Sequence, residues 1–253
     1  MFKSINLLFV LIISSISVFS QSTESNYLER GILYRYEKSG GLQIHTQGFG
    51  MHYRTGKHLT GYSKTTLEFD LVGMKHPKEV KSVSSLYVDA KSFVYGKLNT
   101  LTILRTGLGV QKIINSKGRG IKSAVEVRYF YFLGGSLGFA KPVYLYIVKG
   151  FTSNYKIITA TEKYNPQIHY PENIFGRASF VNGIDEIKIH PGGYAKFGLS
   201  FDYAAYEEEV KSIEIGAILD AYPKSIPIMA TKTNNNLFLT FYMSFNIGKR
   251  FNK

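Results

Sequence analysis

Leu237-Phe-Leu-Thr-Phe-Tyr-Met-Ser-Phe-Asn-Ile-Gly-Lys-Arg-Phe251 decides the fold. Leu237, Leu239, Phe241, Met243, Phe245 and Ile247 alternate with Phe238, Thr240, Tyr242, Ser244, Asn246 and Gly248. Successive side chains of a strand point to opposite faces, so this stretch has one wholly apolar face and one mixed face. The same period of two recurs upstream. Val125, Val127, Tyr129, Tyr131, Leu133, Leu137 and Phe139 oppose Glu126, Arg128, Phe130, Gly134, Ser136 and Gly138. Phe197, Leu199, Phe201 and Tyr203 oppose Lys196, Gly198, Ser200 and Asp202, and Ile213, Ile215, Ala217 and Leu219 oppose Glu214, Gly216 and Asp220.

Extended over the chain, the pattern predicts eight strands, at 30–37, 41–55, 62–74, 97–111, 122–140, 192–206, 209–222 and 236–249. Several exceed the ~9–11 residues needed to cross a bilayer when tilted, whereas strands of soluble sheets run about 5–6. An even number closes a barrel with both termini on one side. The expected fold is therefore all-β, an eight-stranded antiparallel transmembrane β-barrel. A soluble barrel turns its apolar faces inward; here glycine, serine and charges of both signs share one face, which suits a narrow lumen with lipid outside. The candidate lumen residues are Arg35, Glu68, Asp70, Arg105, Glu126, Arg128, Lys196, Asp202, Glu214 and Asp220. They read as an ion-pair network that plugs the barrel and fixes its register, in preference to a conducting path.

The N-terminus supplies a destination. Lys3 precedes an apolar run from Ile5 to Val18 that ends in Ser20-Gln21, the layout of a secretory signal peptide over 1–20, with the barrel domain over 21–253. The run is too short for a spanning helix. The chain contains no cysteine, which excludes a disulfide framework, a thiolate metal site, a cysteine nucleophile and a lipidated first cysteine. The expected location is the outer membrane. Short turns at 54–62, 112–121 and 206–209 then face the periplasm, while 37–40, 75–96, 141–191 and 223–235 face outward, three of them long.

Signal, strands and terminal segment together resemble the small outer-membrane β-barrel proteins of Bacteroidota, including the PorT-like barrels, over the whole mature chain. Asn252 and Lys253 follow the aromatic residue with which such terminal strands commonly end. The resemblance implies a non-enzymatic accessory or scaffold subunit of an envelope complex for secretion or outer-membrane assembly. A barrel-embedded lipid-modifying enzyme and a small channel or adhesin are the alternatives.

Chemistry is sparse. His45, His52, His58, His76, His169 and His190 form no local nucleophile–base signature, so no catalytic residue is assigned. His169 with Glu172, or His190 with Asp185 and Glu186, could ligate a cation, but solvated loop polarity explains them more simply; no metal or cofactor is expected. The 141–191 connection is longer and more apolar than an inert connector, and Tyr170, Ile174, Phe175 and Phe180 are its candidate partner-binding residues, with self-packing an equal reading. The net charge of +13, from 31 Lys and Arg against 18 Asp and Glu, accompanies no interleaved basic motif, so nucleic acid is not expected. Lys75, Lys78, Lys81, Lys91 and Lys97 could instead meet lipopolysaccharide phosphates, or simply be solvated. The expected partners are outer-membrane lipid and other envelope proteins.

Overall fold

The computed structural model describes residues 34–116, 125–154, 156–230 and 234–252. The predicted signal segment 1–20, the first half of the first predicted strand, the second half of the turn predicted at 112–121 and the first residues of the strand after it lie outside them. Thirteen strands follow one another in the described residues: β1 Tyr36–His45, β2 Gly48–His58, β3 Ser63–Met74, β4 Lys81–Ser82, β5 Phe93–Val94, β6 Asn99–Asn115, β7 Glu126–Pro142, β8 Tyr144–Phe151, β9 Ile157–Lys163, β10 Ile174–Arg177, β11 Lys188–Asp202, β12 Glu209–Ala221 and β13 Leu237–Phe251. Eight of them form a closed barrel in the order β1-β13-β12-β11-β7-β6-β3-β2, every neighbour antiparallel. Closure satisfies the backbone donors and acceptors that an open sheet edge would leave in lipid.

The alternation seen in sequence becomes an inside and an outside. On β13 the six apolar residues from Leu237 to Ile247 point outward and are 49–71 % exposed, while Thr240, Tyr242, Ser244 and Asn246 are buried inside. Leu42, Ile44, Phe49, Met51, Leu108, Leu133, Phe197 and Leu219 continue the outward apolar band around the wall. The fold is that of a transmembrane barrel, apolar outside and polar inside.

The first strand differs from expectation. Glu37 and Gly40, read as a tight turn, lie within β1, and the turn falls at Thr46–Gln47 before β2. The Ser39-Gly40-Gly41 run looks like a turn because glycine weakens strand propensity. The glycine is required by close approach instead: a Cβ on Gly41 would come 2.2 Å from Asn246 Oδ1 and 2.5 Å from the Phe245 carbonyl oxygen across the seam. The strand predicted at 192–206 starts earlier and ends at Asp202, where the carboxylate Oδ1 accepts the Ala204 amide at 3.0 Å. Pro191 is tolerated inside β11 because β12 joins the pairing only from Gly193, so no ladder bond is lost on that side.

At the end where β1 begins and β13 ends the connections are short. At the opposite end, three long ones are folded. The connections after β3 and β7 build a cap in which β10, β8 and β9 form a three-stranded sheet, and Phe93, Val143, Leu145, Ile147, Tyr164 and Ile174 form its own apolar core. The Lys91 amide donates to the Phe175 carbonyl at 3.1 Å and the Tyr87 hydroxyl donates to the Glu172 carbonyl at 2.7 Å, tying the two connections together. The connection after β12 turns back into the barrel mouth. There Ile226, Ile228 and Met229 pack with Val72, Met74, Leu101, Ile103, Ala140, Tyr222 and Phe238. The Ile228 carbonyl accepts the Leu98 amide at 2.9 Å, and Asn234 Oδ1 accepts the Ile228 amide at 3.0 Å.

Candidate functional site: a filled ionic lumen beneath a structured cap

Inward-pointing positions of neighbouring strands stack in layers. Near the terminal end, Lys64 and Arg250 both reach Glu37, Arg250 also bonds Asp202, and Arg128 bonds Glu126. In the middle, Arg54 donates through Nε to Glu68 and through Nη1 to Glu214, each at 2.6 Å, and Lys196 Nζ lies 3.0 Å from Glu68 Oε2. Above that, Arg105 forms a bidentate pair with Asp220, both contacts at 2.7 Å, and donates to Asp70 at 3.0 Å. Gln43 donates to the other Asp70 oxygen at 2.8 Å.

Arg54, Arg105 and Lys196 thus face four carboxylates, Glu68, Asp70, Glu214 and Asp220, all at 3 % exposure or less. Burying such a set is costly unless every charge is paired and hydrogen-bonded. Aromatic rings complete the packing: the Arg54 guanidinium lies 5.0 Å from the Phe132 ring centre and 5.4 Å from that of Phe130, and the Lys196 ammonium 4.7 Å from that of Tyr242. Room for Phe132 is made by Gly109, where a Cβ would lie 2.3 Å from the ring. The space left among Glu37, Arg54, Arg128, Asp202 and Glu214 is about 10 Å³, on the order of one water molecule. With apolar side chains stoppering the mouth above, the lumen offers no continuous aqueous path. Planar-bilayer recordings of the intact protein should show no steady conductance; a stable open level would contradict this packing.

Of the ten residues picked from sequence, nine are buried inside the barrel: Glu68, Asp70, Arg105, Glu126, Arg128, Lys196, Asp202, Glu214 and Asp220. Arg35 is not among them; it is exposed just before β1, its amide donating to Asn252 Oδ1. Sequence reasoning missed Glu37, Arg54, Lys64 and Arg250, and the polar linkers Gln43, His52 and Asn246, of which His52 Nε2 and Asn246 Oδ1 are 2.6 Å apart. Parity could have found Arg54, two residues from His52 on one strand face, whereas Glu37 was hidden by the misplaced first strand.

The cap residues divide differently. Ile174 is fully buried in the cap core and Phe175 is partly covered, in ring contact with Tyr87; Tyr170 and Phe180 stand exposed. Ile174 therefore stabilises the cap and cannot itself be a contact surface. His169 is buried and partners Glu162, at 3.0 Å, not Glu172. The Lys149 ammonium and His169 hold the Glu162 carboxyl below the usual carboxylate range. Glu186 is engaged by Tyr144 and Lys163, and no bond joins it or Asp185 to His190 among the described residues. No group of three metal-ligating side chains converges among the described residues. Lys97 pairs with Glu79 at 2.6 Å, and the Lys91 ammonium sits 5.4 Å from the Tyr146 ring centre.

A closed, apolar-walled, ion-filled barrel of eight strands under a folded cap defines the class: a small transmembrane β-barrel. No family model and no curated protein matches the sequence. Among solved structures, the chain is similar to Neisserial surface protein A (9 % identity, 86 % of this chain and 97 % of that one, TM-score 0.41). It is also similar to the attachment invasion locus protein Ail of Yersinia pestis (10 %, 86 % and 97 %, TM-score 0.38) and to OprG from Pseudomonas aeruginosa (11 %, 89 % and 98 %, TM-score 0.35). Likeness of this degree carries no function across.

Proposed function

We propose that the chain is an integral outer-membrane barrel whose cap docks other envelope proteins, a non-enzymatic scaffold or accessory subunit of an envelope complex serving secretion or outer-membrane assembly. The observation that carries this reading is the cap itself. Closing β7 onto β11 needs only a hairpin, since Lys188 pairs directly with Ala140, yet the chain spends residues 143–187 on a sheet with its own core. That investment is made outside the bilayer, and it presents Phe151 (58 % exposed), Ile168 (56 %) and Tyr170 (53 %) to the surroundings. Exposed apolar side chains carried on a folded support suit an interaction surface. The signal-like segment 1–20 and the apolar wall support the outer membrane as the place.

Replacing 144–187 by a short Gly-Ser hairpin tests the reading. The shortened protein should still require detergent for extraction and show heat-modifiable gel mobility, because every barrel strand is retained. It should lose the proteins that co-purify with the intact chain. Unchanged partners in a quantitative pull-down would place the docking surface elsewhere, and recovery in a soluble fraction would refute the membrane barrel.

A further inference from the structure

Just above the apolar wall, beside the ends of β3, β6 and β7, lies a groove of about 250 Å³ whose lining includes Phe49, Lys75, Lys97, Lys141, Arg177 and Phe180. On the wall side its lining includes the outward-facing Phe49, Gly73, Thr100 and Thr102, whereas Leu101 on the same strand as the threonines points inward, fully buried. Its rim is cationic. Lys97 is neutralised by Glu79, but Lys75, Lys141 and Arg177 have no carboxylate partner among the described residues. Lys141 is held in place without one: its ammonium donates to the Asn182 carbonyl at 2.9 Å and lies 4.9 Å from the Phe180 ring centre. Phe49 and Phe180 flank the groove at 68 % and 72 % exposure, and Val181 beside Phe180 is 69 % exposed.

We propose that this groove binds a phosphorylated glycolipid of the outer leaflet, of the lipid A class, with its phosphate between Lys141 and Arg177 and its acyl chains along the wall beside Phe49. Three cations lacking carboxylates attract an anion, and their guanidinium and ammonium donors match phosphate oxygens. Placement selects the source of the phosphate. A soluble anion needs no apolar flank, whereas a lipid fills both the cationic rim and the wall beside Phe49, and girdles of aromatic residues mark where hydrocarbon meets headgroups on such barrels. The inference rests on the outer-membrane placement proposed above and is independent of any protein partner of the cap.

The test uses the full chain refolded into phosphatidylcholine nanodiscs, with heat-modifiable mobility reading the membrane barrel separately. Fluorescent diphosphoryl lipid A is bound and then competed with unlabelled diphosphoryl lipid A, dephosphorylated lipid A or inorganic phosphate. Lys141→Gln/Arg177→Gln should weaken the phosphorylated lipid about tenfold. Arg177→Gln alone, at an exposed position, should weaken it in the same direction without touching the fold. Lys57→Gln/Lys156→Gln, which removes equal charge from exposed sites outside the groove, should leave binding unchanged. Equal competition by the dephosphorylated lipid, competition by inorganic phosphate at lipid-like concentrations, or unchanged affinity in the double variant would each overturn the proposal, even with the barrel intact.

Discussion

Arg105→Met should be among the most destabilising single substitutions in this protein, lowering the free energy of unfolding by about 3–5 kcal/mol. Arg105 makes three contacts of 3.0 Å or less to Asp70 and Asp220, both of which are shut away from solvent. Methionine fills similar volume but leaves two carboxylates with too few donors: Gln43 can serve only one oxygen of Asp70, and nothing replaces the fork at Asp220. The check is a urea titration in lipid vesicles followed by gel mobility. Asp70→Asn/Asp220→Asn in the Arg105→Met background should restore much of the loss, because the charges then go together. Wild-type stability in the single variant would show that the arginine is not what keeps these carboxylates in place.

The apolar stopper is expected to be nearly as sensitive. Ile226 and Ile228 are fully buried by a connection that the barrel wall does not need for closure. Ile226→Ala/Ile228→Ala removes about six methyl or methylene groups from a packed cluster, at about 2 kcal/mol or more for each residue, and this loss falls on one loop. The 222–236 connection should detach from Leu98 and Asn99, whose amides it now accepts, and become open to trypsin after Lys224, while the strands stay protected. Resistance at Lys224 equal to that of the parent protein would mean that the loop is held by its hydrogen bonds alone.

Strand existence was legible because lipid outside and charges inside impose a period of two along the wall; the parity of Glu126 and Arg128, or of Glu214 and Asp220, needed no coordinates. Strand ends were less legible. Gly40 and Gly41 imitate a turn locally, and the reason for their presence, the closeness of Phe245 and Asn246, lies some 200 residues away in sequence. Partner choice inside the lumen was illegible for the same cause: Arg54 meets Glu214 only once strand register is known. The cap was the least readable part. Its aromatic and isoleucine content signalled packing, but nothing local distinguishes Ile174, which is hidden, from Phe180, which is not.

The seam between β1 and β13 joins Tyr36 to Phe251, the most distant pairing in the sheet. Arg250 bonds Glu37, and His52 reaches Asn246, across that same seam. Neither contact can exist while the sheet is still an open ribbon. Loop closure over such a span is entropically slow and returns nothing until it is complete. Folding should therefore be limited by a late zippering event, preceded by a hydrated ribbon with two bare edges and unpaired charges. Such an intermediate is vulnerable to pairing with its neighbours, and a catalyst that shelters one edge until the other arrives would speed maturation far more than one that helps individual hairpins form.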